Sequence, residues 1–249
     1  MGKMLAVFLA AAVATTAMRG QDDDFQKLSG EERVARARAA HGKVIAQKFK
    51  AAGLPYPARE IFLRWLKREG VVELWAREGR GKFRLVAGYG ILKSSGVPGP
   101  KRRQGDLQVP EGFYEIDRFN PESLFHLSLG LNYPNAADRI LSDKEKPGGD
   151  IFIHGKDVSI GCAPLGDAAI EELYLAALDT RTRGQERIAA HIFPARMQGT
   201  EWTAFAAGHP AQAPFWAQLQ PAYAAFERTR LVPAFTVAPD GRYQVAAPR

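Results

Sequence analysis

The sequence predicts a mostly β, α+β fold in which an antiparallel sheet carries flanking helices. Short runs rich in Val, Ile, Leu and aromatic residues lie at 61–66, 71–77 and 82–92, and the turn-like segments REG and EGRG separate them. Further strand-like runs follow at 113–119, 125–131, 150–155 and 188–194, the last of them expected near the centre of the sheet. Short strands joined by tight turns are typical of an antiparallel sheet, and helix-like segments on either side make the class α+β.

The composition is that of a basic globular protein. Hydrophobic residues make up 46% of the 249 residues and charged residues 24%, which is enough apolar material for a core. The net charge of +7 attracts polyanions such as nucleic acid, anionic lipid or cell-wall polymers. No zinc-finger spacing or RNP-like aromatic motif is visible, so we predict no nucleic-acid partner.

The N-terminus has the layout of a secretory signal peptide. Lys3 precedes an apolar run from Met4 to Ala14, and small residues and then acidic residues follow. The alternative is an apolar N-terminal core helix. We predict that residues 1–20 are a signal peptide and that the chain is exported to the periplasm or cell envelope. No later apolar stretch reaches the length of about 18 residues that a membrane span needs, so we predict no stable membrane insertion.

Helices are predicted on both sides of the sheet. Ser29 and Glu32 make a capping box at the start of a helix over 29–52. A second helix is predicted over 167–178, with Asp167 as its N-cap. Near the C-terminus, a helix-like stretch broken by Pro221 precedes a weak hairpin. We therefore divide the exported chain into an N-terminal helical segment (21–58), a central domain (59–197) and a C-terminal extension (198–249).

Residues 93–112 form a long segment without periodicity. A structureless loop of this length inside a domain is usually functional or disordered. It carries four basic residues, which either are solvated charges or bind anionic groups: Lys93, Lys101, Arg102 and Arg103.

The stretch HGKDVSIGC contains the only cysteine of the chain. Cys162 follows His154 by eight residues, and an apolar strand ends at this histidine. Cysteine catalysis needs a thiolate, a base and oxyanion donors, and a hairpin-like return could bring the first two together. The alternative is a buried, inert thiol close to a hydrogen-bonded histidine. One cysteine and five scattered histidines offer no ligand cluster, so we predict no metal site and no cofactor.

Four segments of the chain resemble one known family. The chain is similar to the L,D-transpeptidase (YkuD-type) catalytic domain, in its YafK-like branch. The matching segments are, in chain order, GPKRRQGDLQVPEGFYEI, FHLSLGLNYPNAADR, IHG-x(3)-S-x-G-C with the following DxxIEELY, and HIFPARM. The resemblance covers residues 61–197. It implies a β-sandwich or barrel-like catalytic domain with flanking helices and a peptidoglycan-directed cysteine enzyme of the bacterial envelope.

The resemblance also implies a role for each residue of the motif. Cys162 matches the nucleophile, His154 the base and Ser159 the conserved hydroxyl residue. The Gly155 carbonyl is expected to orient the imidazole, and the Cys162 N–H, joined by that of Gly161, to bind the oxyanion. Five residues are predicted to bind the stem peptide of peptidoglycan: Tyr133, Asn135, Lys101, Arg102 and Arg103.

Two departures from the family pattern leave the fate of the acyl-enzyme open. Ile160 stands where a second histidine is usual, and Ala163 to Leu165 replace a segment that usually carries an arginine. The partner of the thioester is therefore either an amine, which gives transpeptidation, or water, which gives an L,D-amidase that cuts crosslinks or releases a wall-attached lipoprotein.

Three other classes remain as alternatives. A wall-binding protein with a dead site would need no thiol chemistry. A cysteine peptidase would need His126 or His191 as a distant base, and the short spacing from His154 to Cys162 argues against it. A redox protein would need a C-x-x-C partner, which is missing.

Overall fold

An eight-stranded sheet that curls into a half-barrel forms the centre of the molecule, and helices flank it. The computed structural model describes residues 24–246, so the predicted signal peptide lies outside the described residues. The predicted α+β class, with a barrel-like sheet and flanking helices, is confirmed.

The strands of the sheet follow the apolar runs of the sequence. Their spatial order is β3-β2-β1-β8-β4-β5-β6-β7, and all neighbours are antiparallel except the pairs β1–β8 and β6–β7. As predicted, β8 lies near the centre. The strands are β1 (Glu60–Leu66), β2 (Val71–Arg77), β3 (Arg84–Gly90), β4 (Gly112–Asn120), β5 (Ser128–Leu131), β6 (Phe152–His154), β7 (Ala163–Pro164) and β8 (Ile188–Phe193).

Five helices and a small hairpin surround the sheet within the described part of the chain. They are α1 (Gly30–Ala51), α2 (Ala136–Leu141), α3 (Asp167–Thr182), α4 (Gly199–Ala207), α5 (Ala213–Thr229) and the strands β9 (Phe235–Val237) and β10 (Tyr243–Val245). Between residues 24 and 246, no helix has both the length and the hydrophobicity to cross a bilayer.

Helix α1 begins where its capping box predicts. Ser29 is the N-cap, and the reciprocal bonds between Ser29 and Glu32 are both present. The helix packs on α3. The buried side chain of Arg33 joins α1 to the segment before β5, because its Nη1 donates to the carbonyls of Ser123 (3.0 Å) and His126 (3.4 Å). The N-terminal helix therefore supports the segment that lies behind the predicted active site.

The C-terminal residues share a core with the sheet. The prediction that Pro221 breaks the helix is wrong, because α5 continues through it. Proline removes one hydrogen bond from the helix, but the buried side chains on one face, among them Trp216 and Tyr223, hold the helix together. Trp216 Nε1 also donates to Glu111 Oε2 at 2.6 Å.

Residues 93–111, which precede β4, have no helix or strand but many fixed contacts. Glu111 is completely buried and accepts hydrogen bonds from Lys67 Nζ (2.8 Å) and the Gly99 N–H (2.9 Å). Further along the loop, Lys101 pairs with Asp106 at 2.6 Å. The bonds of Glu111 hold the loop beside the end of β1, and the pair of Lys101 and Asp106 holds a turn within the loop.

Candidate active site

The predicted motif connects two neighbouring strands at the edge of the sheet. Strands β6 and β7 pair in parallel, with His154 opposite Pro164. The expected hairpin-like return is therefore wrong, because residues 155–162 cross back before β7 begins. Cys162 comes directly before β7 and lies beside Phe152, whose N–H donates to the sulfur at 3.4 Å. Since alternate residues of a strand share a face, Cys162 and His154 project from the same face of the sheet.

His154 is buried, and the main chain fixes its orientation. Its Nδ1 lies 2.6 Å from the Gly155 carbonyl oxygen. A carbonyl oxygen only accepts, so Nδ1 donates and the neutral ring keeps Nε2 as its proton acceptor. Burial lowers the pKa of His154, and the bond to the Gly155 carbonyl opposes that shift. The Phe125 ring covers the imidazole at 4.8 Å between centroids. The arrangement suits a general base.

The Cys162 thiol is partly buried, and this burial is the main reason why its pKa is raised. The Phe152 N–H and the charge of Lys101 lower the pKa by less, and the charge of Asp150 raises it further. The thiol also donates to the Asp150 carbonyl at 3.6 Å. Both shifts favour the uncharged forms, a thiol at Cys162 and a neutral imidazole at His154.

Ser159 closes the turn that precedes the cysteine. Its Oγ accepts from the N–H groups of Gly161 (3.2 Å) and Cys162 (3.1 Å) and donates to the Cys162 carbonyl (2.8 Å). Gly161 has a φ of 131°, and a Cβ there would lie 3.0 Å from the Gln108 carbonyl oxygen of the long loop. The N–H groups of Gly161 and Cys162, which are the predicted oxyanion donors, thus both bond to the Ser159 hydroxyl in this conformation.

A cavity of about 620 Å³ contains both Cys162 and His154. One side is apolar, and the rim residues Leu124 and Ile160 are 79% and 77% exposed. Lys93 also lines the cavity, and within residues 24–246 its ammonium group has no hydrogen-bond or ion-pair partner. The cavity therefore joins a thiol and an imidazole to an apolar surface and a cation.

Tyr133 and Asn135, two of the predicted substrate-binding residues, bond within the fold and do not line this cavity. Tyr133 is buried, and its hydroxyl donates to the Pro147 carbonyl at 3.0 Å. Asn135 is the N-cap of α2, and its side chain accepts from the Asp138 N–H at 3.0 Å. Both contacts stabilise the segment after β5, and the binding role of these residues stays a prediction.

The basic residues at 101–103 also lie outside the lining of the cavity. Lys101 is buried in its ion pair with Asp106, and Arg102 pairs with Asp138 at 3.1 Å. Arg103 is exposed, and its N–H donates to Asp106. Their binding role stays a prediction too. The charge of Lys101 lowers the pKa of Cys162, although burial raises it by more.

Asp167 has a role at the site that the sequence did not predict. It is not the N-cap of α3, because Gly166 occupies that position and Asp167 is the first helical residue. Its carboxylate accepts instead from the Lys156 N–H at 2.8 Å, next to the glycine that orients His154. No local signal predicts this bond, because it joins residues eleven positions apart.

Comparisons with known proteins agree with the resemblance. Residues 62–185 match the family model of the YkuD L,D-transpeptidase catalytic domain. YafK, an L,D-transpeptidase homologue of Escherichia coli strain K12, is 34% identical over 190 residues, which are 76% of this chain and 74% of YafK.

Two solved structures are also similar. The helical cell shape determining protein Pgp2 of Campylobacter jejuni has a TM-score of 0.45 and 18% identity over 71% of this chain and 73% of its own. Bd1075 of Bdellovibrio bacteriovorus has a TM-score of 0.40 and 19% identity over 65% of this chain and 58% of its own.

Proposed function

Because the chain belongs to the YkuD L,D-transpeptidase catalytic domain family, which acts on peptidoglycan, we propose that it is a cysteine acyltransferase of peptidoglycan stem peptides. The observation that carries the proposal is the geometry of Cys162 and His154. Both line one cavity, and the Gly155 carbonyl holds His154 in the tautomer of a general base.

The first half-reaction forms a thioester. Cys162 Sγ attacks the carbonyl carbon of a meso-diaminopimelate or equivalent residue in the stem, and His154 Nε2 takes the thiol proton. The tetrahedral intermediate then expels the amine, which receives that proton from His154. Because thiol and imidazole are both neutral at rest, proton transfer accompanies the attack and does not precede it.

The second half-reaction releases the acyl group. An amine or a water molecule attacks the thioester carbonyl and gives its proton to His154, and the Cys162 thiol forms again when the proton returns to the sulfur. In both halves the N–H groups of Gly161 and Cys162 stabilise the oxyanion. They do so after the Ser159 hydroxyl, which accepts from both, has turned away.

Lys93 is the basic loop residue that we assign to substrate recognition. It lines the cavity, whereas residues 101–103 do not. A stem peptide carries free carboxylates, and the Lys93 ammonium group, which has no partner among the described residues, can form a charge-assisted hydrogen bond to one of them. The apolar side of the cavity then packs against the aliphatic part of the stem.

Hydrolysis is the second candidate function, and Ile160 favours it. This residue stands in place of the usual second histidine and is 77% exposed at the rim of the cavity. The residues after the cysteine, Ala163 and Leu165, are buried and offer no polar group to an amine acceptor. Water as acceptor would give an L,D-amidase that cuts crosslinks or releases a wall-attached lipoprotein.

Muropeptide analysis tests both candidates. Isolated sacculi are incubated with the protein or with the Cys162→Ser variant, digested and separated. New 3–3 crosslinks in the wild-type sample alone indicate transpeptidation, and cleaved crosslinks or released lipoprotein indicate hydrolysis. If the two samples were identical while both proteins bound sacculi, the enzyme proposal would be wrong and the chain would be a wall-binding protein. We propose the cell envelope as its place of action, because the family is associated with peptidoglycan.

A further inference from the structure

The peptide group between Gly155 and Lys156 is held at both ends. Its carbonyl oxygen accepts from His154 Nδ1 at 2.6 Å. Its N–H donates to Asp167 Oδ1 at 2.8 Å. A peptide group is planar and rigid, so a bond at its nitrogen also sets the direction of its oxygen. Asp167 is thus connected to the imidazole through one amide.

The surroundings of this amide leave it little freedom. The Gly155 N–H donates to the carbonyls of Phe125 (3.0 Å) and Leu127 (3.2 Å). Lys156 has a φ of 55°, a left-handed conformation that is unfavourable for a residue with a side chain. The bond from its N–H to Asp167 offsets that cost, because it holds the turn in the conformation that points the Gly155 carbonyl at His154.

The charge of Asp167 adds an electronic effect to the geometric one. A carboxylate that accepts from an amide N–H polarises the amide and makes its carbonyl oxygen a stronger acceptor. A stronger acceptor at Gly155 stabilises the imidazolium form of His154, which exists while the thiol proton is held on Nε2. In Ser-His-Asp enzymes a carboxylate contacts the imidazole directly and stabilises the imidazolium.

The carboxylate of Asp167 has neighbours that fix it in turn. Its Oδ2 lies 3.6 Å from Nδ1 of the buried His126. His126 Nε2 lies 2.7 Å from Glu171 Oε1 on the next turn of α3, and His41 of α1 lies 3.4 Å from Glu171 Oε2. Phe25 stacks on the His126 ring at 3.6 Å between centroids. His126, Glu171 and His41 are therefore titratable groups packed around Asp167, and the ammonium group of Lys156 belongs to the same turn.

We propose that Asp167 is a positioning residue that acts on His154 through the Gly155–Lys156 peptide group. The role rests on the proposed function of His154 as the base. Asp167 thus connects a carboxylate to the Cys162–His154 pair, and the connection runs through the peptide group and not through a direct contact with the imidazole.

Three variants separate charge from geometry. Asp167→Asn keeps the size and an accepting oxygen but removes the charge, and Asp167→Ala removes the acceptor. Asp167→Glu keeps the charge. Asp157→Asn is the matched control, because this exposed acid follows Lys156 in the connection between β6 and β7 and loses the same charge. We expect kcat on sacculi to fall about 10-fold in Asp167→Asn and towards 100-fold in Asp167→Ala, with KM within about 2-fold, as for other outer positioning groups. Asp167→Glu should recover part of the loss.

A readout without turnover separates this inference from the proposed function. Each variant is combined with Cys162→Ser in the full chain, and the His154 ring is titrated by NMR. Loss of the Asp167 charge should move the His154 titration to lower pH and weaken the Nδ1–H tautomer, and the acid limb of kcat/KM should move the same way. An unchanged titration and tautomer in a folded Asp167→Asn protein would overturn the inference, even if the enzyme were active. If sacculi were never altered but the titration moved, the proposed function would fail and the positioning role would stand.

Discussion

Ser159 and Cys162 form a closed pair of hydrogen bonds, in which the serine hydroxyl accepts from the cysteine N–H at 3.1 Å and donates to the cysteine carbonyl at 2.8 Å. The hydroxyl therefore holds the backbone of Cys162 at both its N–H and its carbonyl. The same oxygen also accepts from the Gly161 N–H. One side chain thus orders the turn and occupies the two N–H groups that we propose as oxyanion donors.

Ser159→Ala should lower kcat about 10-fold, although it frees both donors. Three hydrogen bonds are lost, each worth about 1 kcal/mol, so the turn that carries Cys162 loses its order. Ser159→Thr keeps the hydroxyl and should stay within about 3-fold of wild type. Steady-state kinetics on a muropeptide substrate measure both variants. An Ala variant faster than wild type would mean that donor release, and not order of the turn, limits the reaction.

The Cys162 thiol should react slowly with iodoacetamide at pH 7. Burial raises its pKa, so the thiolate fraction at neutral pH is smaller than in a free thiol, and alkylation should increase as pH rises through a midpoint above the ordinary value of about 8.5. Rates are measured between pH 6 and 10 against glutathione. The His154→Gln variant is the control, because a neutral imidazole contributes little to the midpoint. A wild-type midpoint well below that of glutathione would contradict the neutral pair and would indicate a thiolate–imidazolium pair.

Local sequence signals predicted the parts of the fold that depend on neighbouring residues. The capping box of Ser29 and Glu32 marks the start of α1 because its atoms lie within one helical turn. The prediction of a helix broken by Pro221 was wrong because contacts with residues far away in the sequence decide the structure there. Packing of Trp216 and Tyr223 against distant residues outweighs one missing hydrogen bond.

In the candidate site too, the sequence predicts the residues of one local motif and misses residues that other elements bring to it. Cys162 and His154 stand out in the sequence because one motif contains both. Asp167 and Lys93 reach the site from α3 and from the long loop, so their position depends on the packing of the whole sheet. The parallel pairing of β6 and β7 was missed too, because an eight-residue connection fits a hairpin equally well.

Gly155→Ala should inactivate the protein and destabilise it by about 1–3 kcal/mol, the usual cost of forcing extra atoms into a packed site. A Cβ at Gly155 would lie 2.6 Å from Asp167 Oδ1 and 2.7 Å from His126 Cβ, so either the turn or α3 must move. Gly149→Ala is the control, because a Cβ there meets nothing within 4 Å. Thermal melts and kcat measure both variants. Equal melting temperatures for the two would show that the turn yields easily and that Gly155 is not needed for its shape.

Lys93→Ala should raise KM about 10-fold and change kcat little. A charge-assisted hydrogen bond to a substrate carboxylate contributes about 1.5–3 kcal/mol, and the exposed position of Lys93 puts it at the lower end of this range. Arg103→Ala removes one positive charge from the same loop at a residue that does not line the cavity, so its KM should stay near that of wild type. Raising the salt concentration should weaken the difference between Lys93→Ala and wild type, because screening reduces the contribution of an exposed charge. If Arg103→Ala raised KM and Lys93→Ala did not, the stem peptide would approach over residues 101–103, as the sequence predicts, and the assignment of Lys93 would be wrong.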